Sequence, residues 1–285
     1  MKTDIQKAVQ QIMLGSVTKT ETQALHALET IKAAGYDGIE LNGFMIHPTS
    51  FLVRAMTKAA GMPVGKGGNL NWSELIRKSG LQVTSLHSDL GSLKREPAKI
   101  AEEAGKFGTA YVVITGMYRF DYGDDAAIVQ LCEDLNECGR HMAEQGISLL
   151  YHNHNVEFRR LSSGQTAYNY LLEHTDENYV NFEFDSYWPT EAGVNVQALM
   201  EKLGTRMKLW HINDRGSRAS GLSMTPILTS DSMELGCGNM DLEALTEQAV
   251  KNGIAAVILE SHRNWVDNDP LKSLQLSANF LNEHF

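Results

Sequence analysis

The sequence predicts an α/β fold, a single (β/α)8 TIM barrel spanning residues 1–285, and three observations carry that prediction. Eight short aliphatic or β-branched runs alternate with amphipathic helical stretches along nearly the whole chain. Several helical stretches end in a glycine just before the next apolar run, as in AAGYDGIEL, KSGLQVTSL, EQGISLLYH and KNGIAAVIL. Glycine supplies the left-handed cap that a short helix-to-strand loop needs. The length, 285 residues with 42% hydrophobic side chains, suits one barrel of this kind.

Taken in order, the strands are predicted at 11–17, 37–41, 81–87, 110–116, 147–152, 179–185, 206–212 and 255–260. The helical periods fall at 19–34, 93–107, 124–145, 165–174, 193–203, 241–252 and 268–283. An open dinucleotide-binding sheet is the competing architecture. It calls for GxGxxG between a first strand and a helix, and the GKGG at 65–68 stands in neither context. The one long excursion, 43–72, follows the second strand. It is expected either as a lid over the site or as an insertion packed on the barrel rim.

Composition narrows the partners. Twenty-five Lys and Arg stand against 35 Asp and Glu, a net charge of −10. Nucleic-acid binding draws on dense basic surface to displace counterions, so no nucleic acid is expected. The opening MKTDIQKAVQQIMLGSV lacks an apolar signal core, and no apolar run reaches membrane-spanning length. Cys132, Cys138 and Cys237 form no CxxC pair. The expectation is a cytoplasmic protein with a small-molecule substrate, free to form a homo-oligomer.

Polar and ionisable residues gather at the predicted strand ends: Glu40 and Asn42, His87, His152 with Asn153 and His154, Asp185, His211 with Asn213 and Asp214, and Glu260 with His262. Active sites of these barrels are built at that face. His152, Asp185, His211 and Glu260 each follow an apolar strand core at similar depth and can converge on one point. Two imidazoles and two carboxylates suit one divalent metal ion, Mn, Zn, Fe or Co better than Mg, which prefers oxygen. Each residue alone reads as a hydrogen-bonded strand end; the set of four favours a metal. His26, His141, His174 and His284 share no spacing and read as solvated helix residues, and His47 is left undecided.

These segments resemble a known family. GYDGIELN (35–42), TSLHSDL (84–90), YHNHNVEF (151–158), FEFDSYW (182–188), LWHINDRG (209–216), LGCGNMDLEAL (235–245) and VILESH (257–262) are similar, in order and spacing, to the xylose-isomerase-like barrels. That group comprises sugar phosphate isomerases and epimerases and shares a superfamily with endonuclease IV. The resemblance implies metal ligands after the fifth to eighth strands: Glu, Asp, His and Glu. Asp185, His211 and Glu260 match the last three. The fifth-strand position departs, with His152 in YHNH where the pattern has glutamate. The expected fourth ligand is His152 by register, or Glu157 if it swings in. The missing DxxH after the sixth strand, and the absence of histidine from 217–238, disfavour the multi-metal endonuclease chemistry.

The resemblance also implies a reaction that begins by removing a proton next to a carbonyl of a small sugar or keto-polyol, with a metal stabilising the resulting anion. Related epimerases use the fifth- and eighth-strand glutamates as paired bases, and here only Glu260 remains. The expected catalytic groups are therefore Glu260 with His154 or Glu157. His87, Asn153, Arg215 and Glu40 are expected to hold the substrate. YHNH also looks like inosose dehydratases and keto-glycoside lyases, so elimination stands beside isomerisation, and a non-catalytic sugar-binding subunit is the third reading. Manganese is favoured as the metal.

Overall fold

The computed structural model describes residues 4–48, 67–117, 119–218 and 225–285. Its main sheet is built from β1 (Gln6–Gln10), β2 (Gly38–Asn42), β3 (Gln82–Ser88), β4 (Tyr111–Ile114), β5 (Ser148–His152), β6 (Val180–Asp185), β7 (Met207–Ile212) and β10 (Ala256–Leu259). These eight strands form a closed barrel in the order β1-β10-β7-β6-β5-β4-β3-β2, as the strand–helix alternation predicts. A separate antiparallel pair joins β8 (Asp214–Gly216) to β9 (Asp231–Met233). Among the described residues no helix is long and apolar enough to cross a membrane.

Contacts gather the chain into two compact units whose boundaries fall inside β3 and β7. The first comprises Met1–Val83, Ile212–Thr246 and Ala256–Phe285. In it β1 pairs in parallel with β2 and β10, with Ala8 opposite Gly38 and Ile258. The helices Glu21–Ala33 and Pro270–His284 cover these strands, and the Tyr36 hydroxyl donates to the Leu274 carbonyl at 2.8 Å. The second unit comprises Thr84–His211 and Glu247–Ala255. Here Tyr168, Phe182 and Phe184 are fully buried, and each such ring contributes on the order of 2 kcal/mol. The long helix Asp125–Glu144 comes so close to this layer at Gly139 that a Cβ there would meet the Tyr179 carbonyl oxygen at 2.5 Å.

Three of the differences from the sequence prediction have a clear local cause. The first strand is Gln6–Gln10, and the predicted run 11–17 opens instead as a 3-10 turn, Gln11–Leu14. The Gln10 side chain accepts from the Ile12 amide at 2.6 Å, which turns the chain there while keeping Ile12, Met13 and Leu14 buried. The helix predicted at 93–107 is two, Leu90–Arg95 and Pro97–Phe107. Proline disfavours the helical conformation in the residue before it, and Glu96 sits at φ −139°, ψ 55°. A helix not predicted, Trp72–Ser79, starts on an Asn71 cap and ends at left-handed Gly80. The core of the 43–72 excursion, residues 49–66, lies outside the described residues, so the lid expectation stays there as well.

Candidate metal centre

β6 reads VNFEFD, and side chains alternate across a strand. Phe182 and Phe184 share one face and pack on Tyr168, with ring centroids 5.7 and 6.4 Å away. Glu183 and Asp185 therefore share the opposite face. Strand register sets histidines beside them: His152 on β5 is level with Glu183, and His211 on β7 is level with Asp185. His87, near the end of β3, joins the group, and all five side chains are buried.

Glu183 is the hub. Its Oε2 lies 2.9 Å from His87 Nε2, 3.1 Å from His152 Nδ1 and 3.2 Å from His211 Nε2. The approaches are bent, with neither carboxylate oxygen on the line of a straight hydrogen bond. Burial alone raises a carboxyl pKa, but electrostatic attraction to the His211 and His87 rings outweighs it and holds Glu183 well below the usual range. The His152 and His211 rings meet edge to face at 4.7 Å, and His87 stacks on His211 at 5.9 Å.

Asp185 is positioned by its neighbours' backbone and amide groups. The Tyr187 amide donates to its Oδ1 at 2.7 Å. Asn153, expected to hold substrate, engages the main chain of Asp185 with both ends of its amide. Its Nδ2 donates to the Asp185 carbonyl at 3.0 Å, and its Oδ1 accepts from the Asp185 amide at 3.1 Å.

Glu40, on β2, is fully buried. Next to it, the Asn42 amide donates to Gln11 and its side chain to Gln10. Glu260 follows β10; its amide donates to the Ile212 carbonyl at 3.2 Å, and its Oε1 lies 3.0 Å from His262 Nε2. Arg215 is half-buried on β8. Among the described residues, ligand atoms of His152, Asp185 and His211 all lie within 4.8 Å of one another. So do those of His87, Glu183 and His211. The first group is three of the four residues expected from the strand ends. Its two imidazoles and one carboxylate form a mixed N/O set that fits a divalent transition metal.

His154 and Glu157 form a second cluster, in the turn after β5. The His154 ring stands edge-on to His152 at 5.0 Å and tilted against Trp188 at 5.6 Å. Its amide donates to Glu157 Oε2 at 2.9 Å. Glu157 is fully buried, and Tyr151 donates its hydroxyl to Oε1 at 3.0 Å, with the Tyr122 hydroxyl 2.8 Å beyond. Burial pushes the Glu157 carboxyl up to about 7 against the pull of these hydrogen bonds. Gly116 is the floor of this cluster: a Cβ there would meet His154 Nδ1 at 3.0 Å and Glu157 Oε1 at 3.3 Å. Glu157 thus faces the tyrosines and belongs to neither group of candidate ligands.

Asp214, another of the strand-end carboxylates, is committed to backbone. Its side chain accepts from the amides of Arg215, Gly236, Gly238 and Met240 at 2.8 to 3.2 Å. A Cβ on Gly238 would fall 2.3 Å from Asp214 Oδ1, which explains the glycine in LGCGNMDL.

Sequence reasoning missed Glu183, Tyr151 and Tyr122. The signal for Glu183 was present: a glutamate between two phenylalanines, in step with Asp185, must face away from the apolar side. The tyrosines carried none, because a phenol at an apolar strand or loop position looks like core.

A family profile described as xylose isomerase-like TIM barrel matches residues 28–284. Solved structures share the fold. A sugar phosphate isomerase/epimerase from Parabacteroides distasonis superposes with a TM-score of 0.75 at 20% identity, covering 97% of this chain and 93% of its own. The D-allulose 3-epimerase from Methylomonas sp. gives 0.68 at 13%, covering 99% and 98%. The probable 3-DHS dehydratase AsbF from Bacillus anthracis gives 0.68 at 12%, covering 98% and 99%. No curated protein sequence matches the chain.

Proposed function

Because the chain belongs to the xylose isomerase-like TIM barrel family, we propose that it is a metal-dependent isomerase or epimerase of a small sugar or keto-polyol, acting by removal of a proton next to a carbonyl. The observation that carries this reading is the convergence of His152, Asp185 and His211 within 4.8 Å, with Glu260 as the proposed fourth ligand. Manganese is the favoured ion, with Zn, Co, Fe and Mg as alternatives. A bound ion would supply fixed positive charge beside the carbonyl and hydroxyl oxygens, lowering the cost of the anion that proton loss creates.

The chain's own groups divide the remaining work. Glu260 is both ligand and base. His154, half-buried beside His152 and Trp188, is its acid/base partner. Glu157 anchors the His154 backbone and titrates near neutrality, where proton exchange is most effective. His87, Glu40 and Arg215 bind the keto and hydroxyl groups, and Asn153 keeps Asp185 in place. The acidic net charge supports a partner other than nucleic acid.

A second reading, elimination of water or of a glycosidic oxygen, is favoured by one observation. His152 takes the place of the second glutamate, so the symmetric pair of bases is gone. A carboxylate that takes a proton and an imidazole that gives one suit departure of a hydroxyl. Incubating Mn-loaded protein with ketohexoses, inososes and 3-keto-glycosides in D2O separates the two. Deuterium uptake with the carbon skeleton and oxygens retained is expected for the isomerase. Loss of water or of an aglycone establishes the lyase. Metal analysis should find one ion per chain, lost in Asp185→Asn; no uptake of Mn, Zn or Co would reduce the protein to a sugar-binding subunit.

A further inference from the structure

We infer that Glu183 is a positioning residue for the metal centre: its carboxylate keeps the proton of His152 on Nδ1 and that of His211 on Nε2, so that His152 Nε2 and His211 Nδ1 are the atoms offered to the metal. The inference deepens the metal reading above and rests on it for the identity of the ligands.

The close contacts to Glu183 favour one tautomer of each ring. Glu183 Oε2 is 3.1 Å from His152 Nδ1 and 3.2 Å from His211 Nε2. A carboxylate oxygen carries only lone pairs and negative charge, so even on a bent approach a bare nitrogen at this range is repelled where an N–H is attracted. In a buried space of low effective dielectric that repulsion is severe. A neutral imidazole with its proton on one nitrogen has its lone pair on the other. Metal-bound histidines commonly donate their second ring N–H to a carboxylate, which fixes tautomer and orientation.

Strand register then places the anion directly below the ligands. Glu183 and Asp185 lie two residues apart on one face of β6, and Glu183 is level with His152. One oxygen serves three rings, since His87 Nε2 is 2.9 Å away. The anchor also accounts for the departure at residue 152. A glutamate ligand has no tautomer to fix, whereas a histidine in its place does.

The test begins without metal. Metal-free protein carrying 15N-labelled histidine is read by long-range 1H–15N correlation, which shows the protonated nitrogen of each ring. At a pH where each ring holds one proton, it is expected on His152 Nδ1 and on His211 Nε2; the reverse tautomer at either ring overturns the inference. This outcome is independent of whether metal binds, so failure of metal uptake by the wild type counts against the proposed function alone. Chelator competition then compares wild type with Glu183→Gln and Glu183→Asp, each checked by circular dichroism. Affinity for Co or Zn should fall about 10- to 100-fold in Glu183→Gln, less in Glu183→Asp, with a shifted Co absorption spectrum. Unchanged affinity and spectrum in a folded Glu183→Gln protein would overturn the inference. Two ions per wild-type chain, with one lost in Glu183→Gln, would do so as well, by making Glu183 a ligand. Should Glu183→Gln not fold, the wild-type tautomers decide the question.

Discussion

Two carboxylates, Glu183 and Glu157, are equally buried and behave in opposite ways. Glu183 has three imidazole nitrogens around one oxygen and is held well below the usual range. Glu157 has a tyrosine hydroxyl and a backbone amide as its close donors and is pushed up to about 7. Burial acts on both in the same direction, so the neighbours make the difference: groups that can carry charge stabilise the ionised form, and neutral dipoles do so only in part. The contrast separates a permanent anion that organises a site from a carboxyl able to exchange its proton near neutral pH.

The largest expected effect comes from neutralising the permanent anion. Glu183→Gln should lower stability at pH 7 by about 3–5 kcal/mol, the range for breaking a buried charged cluster, read from urea unfolding. A loss below about 1 kcal/mol would place Glu183 on the same footing as an ordinary hydrogen-bonded group.

Glu157 predicts a pH dependence of the opposite sign from an ordinary paired carboxylate. Its folded pKa, about 7, exceeds its ordinary value of 4.5, so the folded state binds more protons than the unfolded state between those values. Its contribution is fully present below about pH 4.5 and is lost as pH rises to about 7, by about 3 kcal/mol in all. Glu157→Gln should abolish that slope in urea titrations run from pH 5 to 8. A slope identical to the wild type would remove Glu157 as its source.

Two smaller changes sharpen the same comparison. Gly116→Ala puts a methyl 3.0 Å from His154 Nδ1, and the displaced ring should cost on the order of 10-fold in kcat with stability little altered. Tyr151→Phe removes a donor to Glu157. It should cost about 1 kcal/mol and move the Glu157 titration further up, as followed by 13C NMR of its carboxyl carbon.

Much of this architecture is legible in the sequence. Seven of the eight barrel strands fall within a residue or two of the apolar runs that predict them, because parallel strands covered on both faces need continuous apolar runs. The first strand is displaced because QIML is as apolar as a strand while Gln10 caps it into a turn. Trp72–Ser79 is too short, at eight residues, for periodicity to outweigh its polar composition. In the site, His152, Asp185, His211 and Glu260 stand out because charge at the end of an apolar strand has few explanations. Glu183 does not, since a residue inside the strand reads as core until its face is counted. Asn153 and Asp214 show the converse: a strand-end position marks a polar residue, but only the hydrogen-bond pattern tells whether it serves a substrate or the backbone.

The grip of Asp214 on the amides of Gly236, Gly238 and Met240 has a consequence for how the chain can change over time. It pins the two ends of the stretch that leaves β8 and returns through β9, closing a loop whose stem is fixed whatever lies between. Lengthening a closed loop is cheap, roughly 0.6 kcal/mol for each doubling. Residues added between Gly216 and Asp231 therefore place almost no demand on the strand end before them. New loops can be tried there while the chemistry is left intact.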